Sequence, residues 1–280
     1  MEALDLINFC SKKLKENNIS THKLDSELLL SEVLNKTREE ILTDLHQKVY
    51  RDQIGKYYNF VNRRSSKEPI AYILQNKEFW SKNFIVSPYT LIPRPETELL
   101  VEKIVEIFKK RSLFILDVGT GTGCILLSLI SELKNSKGIG IDISKKAIEI
   151  AKKNQKILDL SDNTKFYCRS VMEMNNYKFD LIVSNPPYIR TRDLRNLVDD
   201  VKNFEPKLAL DGGNDGLDVM RKVIYKSSNI LKINGTLALE IGFGQFKQVS
   251  KILKKHNFKI RYLIKDYRDN VRCILSTLRK

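Results

Sequence analysis

From residue 112 onward, short apolar runs alternate with segments of helical periodicity. The runs predict strands at 113–118, 138–142, 164–168, 179–184, 236–241, 258–265 and 271–278. The segments between them predict helices at 122–133, 144–157, 215–231 and 245–256. Such alternation is typical of an α/β fold with a doubly wound, seven-stranded and mostly parallel sheet. Because only five residues separate the last two runs, these strands must pair as an antiparallel hairpin.

The first 75 residues lack this alternation and show helical periodicity alone. Apolar stripes such as Leu4, Ile7 and Leu14 predict a small N-terminal helical bundle at 1–75. Short apolar pieces separated by polar residues and Pro88 predict a linking β-hairpin at 76–95. The remaining residues, 96–280, are then the α/β domain.

The loop Asn185-Pro186-Pro187-Tyr188 follows the predicted strand 179–184. Two adjacent prolines donate no backbone N–H and fix φ, so the strand must end there. Open α/β sheets bind ligands at this carboxyl end. The loop offers an amide side chain, a proline carbonyl and an aromatic face, which together suit a planar substrate NH₂ group. The alternative is an ordinary turn whose Tyr188 covers the core.

The glycine loop Gly119-Thr120-Gly121-Thr122-Gly123 follows the predicted strand 113–118. Glycines allow the backbone to turn tightly and to approach a ligand closely. The spacing G-x-G-x-G differs from the G-x-G-x-x-G of dinucleotide sites. The preceding acid, Asp117, would repel a pyrophosphate and attract an ammonium group.

A second acid, Asp142, ends the next predicted strand about twenty residues later, where a carboxylate can accept both ribose hydroxyls of a nucleoside. Its alternative role is to cap the following helix, although Ser144 could do so equally well. The loop, Asp117 and Asp142 together predict a site for S-adenosylmethionine, which has an ammonium, a sulfonium and no phosphate. NAD is the alternative ligand.

Composition excludes several classes of protein. No apolar run approaches the ~18–20 residues of a membrane span, and the acidic N-terminus lacks the basic start of a signal peptide. The scattered cysteines form no C-x-x-C pair, so neither a zinc site nor a disulfide framework is expected. These features predict a cytoplasmic protein without a bound metal. The cysteines are Cys10, Cys124, Cys168 and Cys273.

The chain is strongly basic, with a net charge of +15 and a pI near 9.5. Such a balance would suit a nucleic-acid or ribonucleoprotein partner. Lysines occur on nearly every predicted helix, however, which favours a general lysine bias over a concentrated binding patch.

Three further motifs accompany the Asn-Pro-Pro-Tyr loop: Lys77-Glu78-Phe79-Trp80, the segment from Leu91 to Glu98, and Phe204 to Leu210 followed by Gly212 to Leu217. With these motifs the chain resembles the class I S-adenosylmethionine-dependent methyltransferases. More narrowly, it resembles the peptide chain release factor glutamine methyltransferases (the PrmC/HemK family) over essentially its whole length.

The resemblance implies N5-methylation of the glutamine in the Gly-Gly-Gln loop of class I release factors, with 1–75 recognising the substrate. It implies that Asn185, Pro186 and Tyr188 are catalytic and that Asn185 to Tyr188 bind the substrate. It assigns the loop Gly119 to Gly123, Asp142 and Asn185 to the cofactor, in addition to Asp117.

One departure concerns the stretch after the third strand, where the family often has an acid and an aromatic residue. Here Val171 or Met172 could supply only apolar contact near the adenine of the cofactor. We expect a monomer that binds neither membrane nor nucleic acid. The alternatives are a nucleic-acid amino-methyltransferase acting on adenine N6 or guanine N2, and a module that binds the cofactor without turnover.

Overall fold

The computed structural model of the protein describes residues 1–279. Its α-helices are α1 (Ala3–Glu16), α2 (His22–Leu34), α3 (Arg38–Thr43), α4 (Arg51–Ser65), α5 (Ile70–Leu74), α6 (Pro95–Phe108), α7 (Cys124–Glu132), α8 (Lys145–Ile157), α9 (Asp199–Phe204), α10 (Asp218–Ile230) and α11 (Phe246–Lys255). Its strands are β1 (Asn76–Phe79), β2 (Lys82–Ile85), β3 (Phe114–Val118), β4 (Lys137–Asp142), β5 (Thr164–Cys168), β6 (Phe179–Ser184), β7 (Leu231–Glu240), β8 (Phe258–Lys265) and β9 (Val271–Leu278).

The described chain divides into two compact units. The helical unit comprises Met1–Asn76 and Val198–Phe204, and the sheet unit comprises Lys77–Leu197 and the residues from Glu205 onward. These units differ from the continuous parts expected from sequence in two respects: the β1–β2 hairpin shares a unit with the large sheet, and α9 belongs to the helical unit. Only contacts between residues far apart in the chain show that α9 belongs to the helical unit, so local periodicity could not predict this.

The helical unit packs α1, α2 and α4 around an apolar core that includes Leu6, Leu29 and Tyr57. The buried Arg64 guanidinium on α4 pairs with two carboxylates. Its Nε lies 2.7 Å from Asp25 Oδ2 on α2, and its Nη1 lies 2.8 Å from Asp200 Oδ2 on α9. Because one buried cation compensates two acids, this cluster fixes α9 to the helices of its unit.

The large sheet of the sheet unit has the strand order β5-β4-β3-β6-β7-β9-β8. Strands β3 to β7 run parallel, and β9 is antiparallel to both of its neighbours. The predicted doubly wound α/β fold and its C-terminal hairpin are therefore confirmed.

The central strands of this sheet are buried on both faces, and alternate residues of such a strand face opposite cores. On β6, Leu181 and Val183 belong to the core that contains residues of α6 and α7, whereas Ile182 belongs to the core that contains residues of α10 and α11. A strand buried on both faces needs apolar residues in succession, which explains the continuous runs in the sequence.

The strand β7 begins five residues earlier than the sequence predicts, at Leu231 instead of residue 236. Its first part contains the polar residues Lys232 and Asn234 and is mostly exposed, and the register against β6 shifts between Phe179 and Leu181. An irregular, solvent-facing strand end lacks the apolar periodicity on which the prediction depends.

The net charge is unevenly divided between the units. The helical unit contains 13 basic and 13 acidic residues, so its net charge is zero. The sheet unit has 36 basic and 21 acidic residues, and 36 − 21 gives the entire +15. Lysines are nevertheless spread similarly over the two units, with 9 among the 83 residues of the helical unit and 25 among the 197 of the sheet unit, so the difference in net charge comes from the denser acidic residues of the helical unit.

Within residues 1–279, no helix combines the length and the apolar character that crossing a membrane requires. In the same range, no cluster of histidine, cysteine and acidic side chains is arranged to hold a metal ion.

Candidate active site

The candidate site lies at the carboxyl edge of the parallel strands. The chain order reverses between β3 and β6, and open α/β sheets bind ligands at such a switch point. The two strand ends are joined there, because the buried Ser184 hydroxyl at the end of β6 donates to the Val118 carbonyl at the end of β3 at 2.7 Å.

A cavity of about 330 Å³ opens at this edge. Most of the residues singled out from the sequence line it: Gly119, Thr120, Gly121, Thr122, Asp142, Val171, Asn185, Pro186 and Pro187. Three others, Asp117, Gly123 and Tyr188, do not line it. The cavity therefore brings the glycine loop, the acid of β4 and the Asn-Pro-Pro segment together.

The glycine loop is fixed to the end of β4. The backbone N–H groups of Gly119 and Thr120 both donate to the Ile141 carbonyl at 2.9 Å. Gly119 and Gly121 have φ values of +73° and +54°, and a Cβ at either would meet no atom within 4 Å. The loop thus has the backbone conformation that favours glycine and leaves open space beside it, as close approach to a ligand requires.

Asp117 is buried beside the loop. Its Oδ2 accepts a hydrogen bond from the Thr120 hydroxyl at 2.6 Å, while its Oδ1 has no partner among the described residues. Burial raises the pKa of this carboxyl to about 7. An incompletely compensated carboxyl next to the cavity favours a cationic ligand over an anionic one.

Asp142 is the last residue of β4, and its carboxylate organises the loops on both sides. Its Oδ2 accepts from the Gly121 N–H at 3.0 Å and its Oδ1 accepts from the Ser144 N–H at 2.9 Å. The N-cap of α8 is Ser144, whose hydroxyl accepts from the Ala147 N–H at 3.2 Å. The capping role considered for Asp142 therefore belongs to Ser144.

Asn185 begins the loop after β6 and is held by residues of two other elements. Its Nδ2 donates to the Thr97 hydroxyl at 3.4 Å, and this hydroxyl donates to Glu240 Oε2 at 2.7 Å. Thr97 lies in the first turn of α6, and Glu240 is the last residue of β7. Both residues are buried, so the Asn185 side chain is bound to polar groups in the interior of the protein.

Arg272 lies close to both Glu240 and Tyr188. Its Nε is 3.9 Å from Glu240 Oε1, and its guanidinium carbon is 5.5 Å from the centroid of the Tyr188 ring. Burial and then the charge of Glu240 raise the pKa of Tyr188 to about 12, so its phenol is neutral at physiological pH. One face of the ring therefore already contacts a cation.

The backbone of the Asn185–Tyr188 loop is supported from the opposite side. Gln245 Nε2 donates to the Tyr188 carbonyl at 2.9 Å, and the Gly212 N–H donates to the Ile189 carbonyl at 2.8 Å. The motif around Gly212 thus supports the loop. Similarly, the buried Glu205 carboxylate pairs with Arg94, which itself lines the cavity.

Sequence inspection did not identify Thr97, Glu240 or Arg272 as residues of the site. Glu240 nevertheless carries the signal that identified Asp142, since it is an acid at the carboxyl end of an apolar run. Thr97 lies within the motif from Leu91 to Glu98, but nothing in that motif indicates a contact with Asn185, and Arg272 has no signal at all, because only the tertiary fold places both residues beside Asn185.

Two family models match the chain. A model described as the PrmC N-terminal domain matches residues 5–74, and one described as a methyltransferase domain matches residues 109–266. The second covers more than half of the chain.

Known relatives match nearly the whole chain. A release factor glutamine methyltransferase from Clostridium acetobutylicum is 38% identical over 267 residues, which cover 94% of each chain. Another from Buchnera aphidicola subsp. Schizaphis graminum is 41% identical over 268 residues, which cover 95% of this chain and 97% of the relative.

Similarity in structure extends to more distant proteins. The crystal structure of a methyltransferase from Pyrococcus furiosus matches 70% of this chain and 89% of its own length, with a TM-score of 0.54 and 15% identity. At that identity the match is evidence for the fold alone.

The fold, the cavity and the matching models define a class I methyltransferase that uses S-adenosylmethionine as its methyl donor. The residues present suit this cofactor, because the open glycine loop, the carboxylate of Asp142 and the buried Asp117 favour a cationic nucleoside without phosphate. The relatives narrow the assignment further. The chain belongs to the release factor glutamine methyltransferase family.

We expect Asp117→Asn to change the pH dependence of stability in the ligand-free protein. A carboxyl whose pKa rises from 3.8 to about 7 on folding destabilises the folded state progressively as pH rises from about 4 to about 7. The variant has no carboxyl to titrate at this position. The difference in melting temperature, variant minus wild type, should therefore be larger at pH 8 than at pH 5. Thermal unfolding at both pH values checks this, and a constant difference would contradict it.

Proposed function

We propose that the protein transfers a methyl group from S-adenosylmethionine to the side-chain amide nitrogen of the glutamine in the Gly-Gly-Gln motif of class I release factors. The observation that carries this proposal is the position of Asn185 and Pro186 on the wall of the cavity that the glycine loop also lines. The chain's membership of the release factor glutamine methyltransferase family supports the choice of substrate.

The reaction requires alignment, because an amide nitrogen is a poor nucleophile whose lone pair is delocalised into its carbonyl. Asn185 Oδ1 and the Pro186 carbonyl are two acceptors on adjacent residues, and they match the two N–H bonds of a primary amide. They hold the nitrogen in one orientation, so the entropy cost of alignment is met by binding. When bound, S-adenosylmethionine supplies an electrophilic methyl group attached to a sulfonium.

Methylation places positive charge on the amide nitrogen before its proton leaves for water. The same two acceptors stabilise this charge more strongly than they stabilise the neutral amide, which lowers the barrier. Tyr188 contributes its aromatic ring. Because Arg272 lies against one face of this ring, a substrate contact would use the other face.

The residues proposed to hold the cofactor are Asp117, the loop from Gly119 to Gly123, Asp142, Val171 and Asn185. Asp142 accepts the nucleoside hydroxyls through lone pairs beyond those that bind Gly121 and Ser144. Val171 is buried and supplies apolar contact. Asp117 acts through its charge, since it does not line the cavity.

We expect Asp142→Ala to weaken binding of S-adenosylmethionine by about 10- to 100-fold, because hydrogen bonds to a charged group contribute about 1.5–3 kcal/mol. Titration calorimetry measures this affinity. Asp162→Ala is a matched control, since it removes the same charge from an exposed position before β5. Equal affinities in wild type and Asp142→Ala would refute the assignment.

The remaining parts of the proposal concern recognition of the protein substrate. The helical bundle at 1–75 and the hairpin at 76–95 recognise the release factor, because a protein substrate needs contacts beyond one side chain. The domain at 96–280 carries out methyl transfer, and the enzyme acts as a monomer in the cytoplasm, without membrane or nucleic acid.

Mass spectrometry of the Gly-Gly-Gln peptide tests the function directly. A release factor incubated with enzyme and S-adenosylmethionine should gain one methyl group on this glutamine, and a release factor with glutamine replaced by alanine should gain none. The +15 charge of the sheet unit is the observation that favours the rival substrate, nucleic acid. Methylation of RNA or DNA with an unmodified release factor would establish that rival, and an absence of turnover would indicate a binding module.

A further inference from the structure

We propose that Glu240, together with Thr97, is a positioning residue that fixes the Asn185 amide with its nitrogen toward the protein and its oxygen toward the substrate. This inference deepens the proposed function and rests on it, since it concerns how the acceptor of the substrate amide is oriented. Glu240 does not line the cavity, so its effect on the reaction is indirect.

Two hydrogen bonds link Asn185 to Thr97 and Thr97 to Glu240, and the Glu240 carboxylate determines the direction of both. An ionised carboxylate accepts hydrogen bonds and cannot donate them. Because the Thr97 hydroxyl lies 2.7 Å from Glu240 Oε2, its single proton is committed to the carboxylate. This hydroxyl can then only accept from Asn185, and the Asn185 atom that faces it at 3.4 Å must be the donor Nδ2.

Two features favour the ionised form of the buried Glu240. The Arg272 guanidinium approaches Glu240 Oε1, with Nε at 3.9 Å. In addition, Thr97 places the carboxylate beside the first turn of α6, a helix of 14 residues whose N-terminal dipole stabilises negative charge. Burial, and to a smaller extent the charge of Glu96 in the first turn of α6, raise the pKa of Glu240, whereas the hydrogen bond from Thr97, the charge of Arg272 and a hydrogen bond from Asn185 favour the acceptor form.

The consequence for the reaction is a defined choice between two orientations of the amide. An asparagine side chain that is free to rotate presents oxygen or NH₂ to the substrate, and the NH₂ orientation would repel the substrate N–H bonds. Holding Nδ2 against Thr97 leaves Oδ1 as the atom available to accept from the substrate. Such preorganisation acts on the orientation of the acceptor before the substrate binds.

Four substitutions test the proposal with a release factor as substrate. Thr97→Val removes the hydroxyl at nearly constant volume, Glu240→Gln allows the chain of hydrogen bonds to reverse, and Thr97→Ser retains the hydroxyl. Thr164→Val is the matched control, since the buried Thr164 hydroxyl likewise accepts from a side-chain amide (Gln155 Nε2, 2.8 Å) and donates to an oxygen (the Leu160 carbonyl, 2.7 Å), but at the opposite end of the sheet.

We expect Thr97→Val and Glu240→Gln each to lower kcat by about tenfold, as loss of one oriented hydrogen bond would. Thr97→Ser and Thr164→Val should remain within about threefold of wild type. Unchanged kcat in Glu240→Gln, or equal losses in Thr97→Ser and Thr97→Val, would each overturn the proposal.

Coupling to Asn185 separates positioning from a structural role. In single-turnover reactions, Thr97→Val should lower the rate in the wild-type background and have no further effect in an Asn185→Ala background. Equal losses in both backgrounds would overturn the proposal, because damage to structure acts whether or not Asn185 is present.

Nuclear magnetic resonance of the Asn185 side-chain NH₂ group provides a test that needs no substrate. Its ¹⁵N-coupled signals are assigned by their loss in Asn185→Ala, and they should shift in Thr97→Val and Glu240→Gln but not in Thr164→Val. Unchanged signals in the first two variants would overturn the proposal. If wild type fails to methylate the release factor, the proposed substrate is wrong, and this measurement still decides the orientation of Asn185.

Discussion

Replacement of Asn185 by alanine is expected to lower kcat for release factor methylation by about 10²- to 10³-fold, because one preorganised contact to developing charge usually contributes that much. The side chain lies on the wall of the cavity, and its carbonyl oxygen is the acceptor proposed for one N–H bond of the substrate amide. Steady-state kinetics with saturating release factor and S-adenosylmethionine measure the effect.

The fold of this variant should survive, because Asn185 is only partly buried and its hydrogen bond to the Thr97 hydroxyl is long, at 3.4 Å. The melting temperature is therefore expected to stay within a few degrees of wild type. Asn175→Ala, which removes an exposed asparagine that accepts from Lys226, is a suitable control and should retain full activity. A kcat above about one tenth of wild type in Asn185→Ala would refute the acceptor role.

Gly212→Ala is expected to have the second large effect, although Gly212 is not proposed to touch the substrate. A Cβ at this position would lie 2.6 Å from the Gly216 carbonyl and 2.7 Å from the Pro187 carbonyl. Both atoms belong to the backbone, so the methyl group displaces the loop that carries Pro186 and Pro187. Since a displacement of about 1 Å at a reacting group costs about 10²-fold, we expect kcat to fall by roughly that factor.

Gly235→Ala provides the matched control for this variant. Its Cβ would lie 2.8 Å from the Lys232 carbonyl, which is also a clash with backbone, but Gly235 lies near the start of β7 and not at its carboxyl end. Both variants should unfold at lower temperatures than wild type, and only Gly212→Ala should lose activity when assayed well below its melting temperature. Similar kcat losses in both would show that instability is the cause.

The strands and the glycine loop were predictable because their signals are local. A strand buried on both faces is continuously apolar, as in Phe179–Ser184, and glycines and prolines mark where such strands end. The G-x-G-x-G spacing and the acid at Asp142 likewise needed no tertiary information. The sequence therefore indicates the glycine loop, Asp142 and the Asn-Pro-Pro segment, all of which line the cavity.

The parts that escaped prediction depend on contacts between distant residues. The sequence does not show that Asp117, which is proposed to act on the cofactor through its charge, is buried and lies outside the cavity wall. The support of Asn185 by Thr97 and Glu240 joins positions separated by 88 and 143 residues along the chain. No window of the sequence shows such a relation.

The discontinuity of the helical unit has a consequence for protein synthesis. A ribosome releases Met1–Asn76 first, but α9 emerges only after β6 and the Asn-Pro-Pro-Tyr loop. At about 5–20 residues per second, the interval is on the order of 6–25 s. During it Arg64 lacks its partner Asp200, so the first unit to be translated cannot complete its charge cluster until the Asn-Pro-Pro-Tyr loop also exists.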